Sequence, residues 1–204
     1  MSGVRDYKPY ADEASNYIYS AVFCDVPDAE EVQELFTPVF NERAVRAIAE
    51  DKNAESWIRA QAYRRLQQHR CAVPQRVLLG VVVEAPLPRG LDTLTTYIDG
   101  RIRYINGSGK RIVIEKDLPS TRESRKVLLR AAQDIVDELT PLTAPRSPPP
   151  KQPNVRVTAV ASDGLYVGEA DLEQLTADPL GGPILRATSD LLTAVVDYAK
   201  ANAQ

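Results

Sequence analysis

The chain predicts an α+β fold: an antiparallel sheet of about six strands with packed helices, preceded by a helical N-terminal segment. Apolar residues before Pro74 recur at helical spacing, whereas those after it alternate or run continuously. Turn signals at Asp99-Gly100, Asn106-Gly107-Ser108-Gly109 and Asp163-Gly164 join short apolar runs, which predicts hairpins and not parallel crossovers. Two further helical patterns lie after the strands, one on each side of a proline-rich stretch.

Residues 1–72 read as the helical N-terminal segment. Ala14, Tyr17, Ile18, Ala21 and Val22 share one face of a first helix beyond Pro9. Asp28 and Glu31 have capping-box spacing before Val32, Leu35 and Phe36, and Thr37-Pro38 interrupts that second helix. A third starts near Asn41 and carries Val45, Ile48 and Ala49. The fourth, after Asn53, aligns Ile58, Ala62, Leu66 and His69, with Arg59, Tyr63 and Arg70 elsewhere.

Residues 73–204 read as the sheet with its helices. The run from Val77 to Val83 suits a strand covered on both faces. Pro86, Pro88 and Gly90 are expected to end it. Leu94 to Ile98, Arg101 to Ile105 and Arg111 to Glu115 complete a meander, with a type I′ turn expected at Asp99-Gly100. Ser120 and Glu123 form a second capping-box pattern, followed by the stripe Leu128, Ala131 or Ala132, Ile135 and Leu139. Of the 15 prolines, six lie between Pro141 and Pro153, so 140–153 reads as an extended, semi-rigid connector. Strands resume at Val155–Ala161 and Leu165–Glu169. A final helix begins at Pro183 and aligns Ile184, Thr188, Leu191, Val195 and Tyr198. The last two strands are expected to join the first sheet and make one unit, since alone they bury too little.

Composition excludes several functions. The chain has 204 residues, 44% hydrophobic and 26% charged, in the range of ordinary globular proteins. Its net charge of −3 is spread without a basic block, which argues against nucleic-acid binding. No run approaches the ~20 apolar residues of a membrane span, and Met1–Tyr10 carries no signal-like apolar stretch. A cytoplasmic location is therefore expected, with Cys24 and Cys71 as reduced thiols. The bias of 18 Arg over 7 Lys leads to the expectation of a GC-rich bacterial genome.

Candidate sites reduce to local features. Asn106-Gly107-Ser108-Gly109-Lys110 has the residues of a phosphate loop but precedes a strand, so it reads as a turn. Gly181-Gly182-Pro183 opens a helix, yet Pro183 removes a donor that an anion site uses. His69 and Cys71, even with Cys24, supply too few ligands for structural zinc. Asp92, Asp99, Asp163 and Glu169 stand near strand ends as candidate acids. Gly168 implies a bulge or a close approach, with Tyr166 beside it as a candidate pocket residue. Arg59, Arg64, Arg65 and Arg70 cluster on the fourth helix. Arg122, Lys126 and Arg130, with Arg125 nearby, make a basic helix stripe suited to an acidic partner.

No motif identifies an activity. The expectation is a non-enzymatic binding or regulatory protein acting through a protein surface on another protein or, as a homodimer, on itself, with no cofactor, metal or catalytic residue assigned. The alternative is a small enzyme that uses Asp163 and Glu169 on a polar small molecule.

Overall fold

The computed structural model describes residues 7–24 and 39–202. Within them lie the helices α1 (Glu13–Ala21), α2 (Glu42–Glu50), α3 (Ser56–Gln68), α4 (Arg122–Glu138), α5 (Leu172–Ala177) and α6 (Gly181–Ala201). The strands are β1 (Leu78–Leu87), β2 (Gly90–Tyr97), β3 (Ile102–Ile105), β4 (Arg111–Ile114), β5 (Asn154–Ala161) and β6 (Gly164–Asp171). All six strands form one antiparallel sheet in the order β4-β3-β2-β1-β5-β6. The α+β expectation holds. The helix expected from Asp28 and Glu31, with its stripe Val32, Leu35 and Phe36, lies outside the described residues.

The first strand in the chain sits inside the sheet, between β2 and β5. This placement accounts for its unbroken apolar run. Leu78, Val81 and Val83 enter one core, while Leu79 and Val82 enter another on the opposite face. On the first face α4 and α6 lay Leu128, Ile135, Ile184, Leu191 and Val195 against the sheet. On the second, the N-terminal helices contribute Tyr19, Val45 and Leu66, and the turn after α1 contributes Phe23. A register shift in the β1–β5 pairing falls between Leu78 and Gly80. Here a side chain is forbidden: a Cβ on Gly80 would lie 2.5 Å from the ring of Tyr97.

Several elements depart from the sequence pattern. The buried residues of α1 are Ser15, Asn16 and Tyr19, whereas Ala14 and Tyr17 are exposed. Two polar groups can turn inward because local partners satisfy them. The Asn16 side chain accepts from the Tyr10 amide and donates to the Tyr10 carbonyl at 2.9 and 2.8 Å, and Ser15 Oγ donates to the Gly109 carbonyl. In α3, Arg59 and Tyr63 are buried with Leu66. His69 instead caps the helix exposed, its ring stacked on Phe40 at 3.7 Å. Arg59 is accommodated because its Nε donates to the Ala49 carbonyl on α2.

Pro86 does not end β1, which continues to Leu87. Beyond Glu84 the strand pairs with β2 alone, so a missing donor is tolerated. At Asp99-Gly100 only the glycine has positive φ. The amides of Gly100 and Tyr97 bond to the carbonyls of Tyr97 and Arg101, which makes a three-residue loop ending in a left-handed glycine, not a type I′ turn. The capping box at Ser120 is not formed. A 3-10 turn over Pro119–Thr121 leads into α4, and Thr121 Oγ1 instead donates to the Leu118 carbonyl. Helix α6 begins at Gly181, ahead of Pro183.

The proline-rich connector forms neither helix nor strand, and it is tied down. Leu142 N donates to the Leu165 carbonyl at 2.7 Å and Gln152 Nε2 to the Pro86 carbonyl at 3.2 Å. The Tyr7 hydroxyl donates to the carbonyl of Arg146 at 3.1 Å. It is a strap across the sheet. Among the described residues, no helix is long and apolar enough to cross a membrane.

Candidate functional site

The residues singled out from sequence separate in space. Asp163 lies in the β5–β6 turn and accepts from the Tyr166 hydroxyl at 2.7 Å; the phenol is pushed up to about 12 by burial and by this carboxylate. Glu169 lies near the far end of β6, roughly 20 Å along the strand at ~3.3 Å per residue. It bonds to Arg156 on the opposite face of the sheet. These two carboxylates do not form a dyad.

The other candidates have structural partners. Asp92 accepts from the Tyr104 hydroxyl and the Gly107 amide at 2.8 and 2.7 Å, pinning the β3–β4 turn. Asp99 accepts from the Ser56 amide at the start of α3 at 2.7 Å. Asn106 Oδ1 takes the amides of Ser108 and Lys110, so the glycine-rich segment closes on itself as a turn. At Gly181 the donors are already used: Asp178 Oδ1 accepts the amides of Leu180 and Gly181 at 2.8 and 2.7 Å. Neither Cys24 nor Cys71 is joined in a disulfide. Among the described residues no three His, Cys, Asp or Glu side chains converge as metal ligands do.

Gly168 introduces neither bulge nor close approach. It keeps register with Val157, and a Cβ there would meet nothing within 4 Å. It borders a cavity of about 340 Å³ between β6, α4 and α5, lined by Ile135, Val157 and Leu175. Tyr166 is fully buried in the core beside it. On α4, Arg122, Lys126 and Arg130 are exposed as the stripe requires. Arg125 is not part of it: it is buried and paired with Asp117.

The β-ladder assembles a polar row that sequence spacing did not reveal. Register places Thr93 beside Glu84, Glu84 beside Arg156, and Arg156 beside Glu169. The row crosses four strands on the face covered by the N-terminal helices. Glu84 is fully buried, and its Oε1 accepts from the Tyr19 hydroxyl at 2.7 Å. Its Oε2 makes no hydrogen bond and stands 3.6 Å from Arg156 Nη1. Arg156 spends its hydrogens on Glu169 and on the carbonyls of Ser147 and Pro148 in the strap. Burial therefore dominates at Glu84 and raises its pKa, against the lowering effects of Tyr19, Arg156 and Arg146. At Glu169 burial is outweighed by hydrogen bonds from Arg156 and Asn154, which hold the carboxyl below its ordinary value. The row has an interior role. It joins layers.

A second feature faces solvent. Between α1, the start of α3 and strands β3 and β4 runs a groove of about 280 Å³. Tyr17, Ile18, Trp57 and Val113 give it an apolar lining, with Arg103 and Glu115 at the margin. Tyr17 and Val113 are each 45% exposed, a high value for large apolar side chains on neighbouring elements. The groove adjoins β4, which has no neighbour on its outer side among the described residues. Asn106 N donates to the Lys110 carbonyl, closing the hairpin. Counting outward through the β3–β4 register, the pair Arg103–Val113 is non-hydrogen-bonded. The Val113 amide and carbonyl thus point to the open edge. An apolar trough next to unpaired backbone can hold an extended chain.

No family model matches the chain, and no curated protein matches its sequence.

Proposed function

We propose that the protein is a non-enzymatic binding or regulatory protein that grips an extended segment of a partner protein along the outer edge of β4. The observation that carries this reading is the juxtaposition of Val113's outward backbone with the groove at Tyr17 and Trp57. Backbone pairing would supply affinity without sequence preference, and an apolar side chain seated in the groove would supply selectivity. The Arg103–Glu115 pair, 2.8 Å apart at the rim, favours a strand whose flanking residues are polar or of mixed charge. A second copy of the chain offering its own β4 is the homodimeric form of the same contact.

Val113→Pro tests it. The substitution deletes the outward amide but leaves the β3 ladder intact, because proline is tolerated on the solvent side of an edge strand. Peptides selected from a displayed random library on the wild type are expected to carry alternating apolar residues and to lose binding to Val113→Pro. If self-association is the contact, light scattering should report a dimer that Val113→Pro converts to a monomer. A monomeric wild type whose selected peptides bind both forms equally would sink the proposal.

A further inference from the structure

We infer that the N-terminal layer and the sheet enclose an arginine-binding pocket, and that the strap fills it in cis with Arg146 as a releasable latch. Most of the strap is exposed, but Arg146 is 6% exposed. Its guanidinium carbon lies 3.6 Å from the centroid of the Phe23 ring, 5.4 Å from that of Tyr19 and 5.6 Å from that of Tyr7. All three distances fall within the range of cation–π attraction, which strengthens when water is excluded. Arg146 Nη1 also donates to the Tyr19 oxygen at 3.2 Å, and the Tyr19 hydroxyl passes its own hydrogen to Glu84. An aromatic cage on an acidic base is a receptor for a planar cation.

The chain's layout makes this contact a latch. Two separate cores lie on opposite faces of the sheet. The face with α4 and α6 can persist while the face with α1 opens, because the cores share strands but not side chains. Arg146 joins α1, through Tyr19, and the turn after it, through Phe23, to a segment anchored on β5 by Arg156. When Arg146 leaves, the Phe23 wall and the Glu84 row lose their cover together. An arginine side chain from a partner protein would fit the same cage. This inference is independent of the β4 edge.

Cys24 is a built-in reporter, adjacent to Phe23 and 4% exposed. In a full-length Cys71→Ser background, Arg146→Ala is expected to raise the rate of Cys24 labelling by an aromatic disulfide at least about tenfold, while the far-ultraviolet dichroism is retained. Ethylguanidinium at millimolar concentration should slow that labelling again, and ethylammonium should not. If Arg146→Ala fails to fold, the same comparison is made in Arg146→Lys, which keeps the charge but loses the planar fork. Unchanged labelling, or a rise that ethylguanidinium does not reverse, would overturn the inference.

Discussion

Individual residues carry more of this structure than their sequence context suggests. Arg76 adopts positive φ at 61 residues' remove from Asp137, and its guanidinium takes the last carbonyls of α4: Val136 at 2.6 Å, Leu139 at 3.2 Å and Asp137. A cation on these orphan carbonyls both satisfies them and opposes the helix dipole. Arg76→Ala is expected to lower stability by about 2 kcal/mol, measured by urea unfolding, because the φ strain stays and the cap goes. Arg76→Lys should recover only part of the loss, since one compact ammonium nitrogen cannot reach carbonyls that the guanidinium contacts through two separate nitrogens, Nη1 and Nη2. At Glu84 the effect depends on pH. Its folded-state pKa lies above the ordinary 4.5, so the native state binds the proton more tightly than the unfolded chain does. Stability from this group is therefore present below 4.5 and lost as pH rises through the shifted value. Glu84→Gln removes the titration, so its stability relative to the wild type should rise across that window. A constant difference from acid to neutral pH would contradict this account.

At the level of the elements, two glycines in neighbouring parts of the sheet make opposite demands. Gly80 faces the ring of Tyr97, where a Cβ would be 2.5 Å from the nearest carbon. Gly168 faces open space above the 340 Å³ cavity. Gly80→Ala should therefore destabilise by roughly 1–3 kcal/mol through overpacking. Gly168→Val should stabilise by about 0.5–1 kcal/mol, from reduced chain entropy and new contact with Val157 and Leu175. Thermal unfolding of the two variants, compared side by side, checks both signs. The same elements mark what sequence could reveal. Hairpins were legible because Asp-Gly and Asn-Gly dictate local backbone geometry. The buried face of α1 was not, because Ser15 and Asn16 turn inward to satisfy the Gly109 carbonyl and the Tyr10 backbone. The groove and the polar row were equally hidden. Glu84, Arg156 and Glu169 are neighbours only through strand register, which pairs residues 72 apart in one case and 13 in the other.

For the whole molecule, covering the sheet on both faces divides stability into two parts. Leu191, fully buried, belongs to the core under α6, which holds the sheet from one side. Leu191→Ala should cost about 2–5 kcal/mol and speed amide exchange throughout the sheet, including β1. Substitutions confined to the N-terminal face should instead speed exchange in α1 to α3 first and leave β1 protected by its two neighbours. Hydrogen exchange resolved by peptide distinguishes the two responses. Uniform acceleration from both kinds of substitution would mean that the layers open as a single cooperative unit. The architecture as a whole was foreseeable, since strand count, hairpin order and flanking helices follow from local patterns. Which helices cover which face was not, because that choice depends on contacts between distant segments such as Tyr19 and Glu84.

The interior position of β1 has a consequence for how the chain is made. Its pairing edge toward β5 runs from Leu78 to Glu84, and its partner is supplied only by residues 154–161. While the ribosome is still delivering α4 and the strap, a meander of four strands presents that apolar edge without a mate. Such an edge is a template for sticking to other nascent chains. The closing hairpin of β5 and β6 is thus also the step that makes the newborn protein safe from its neighbours.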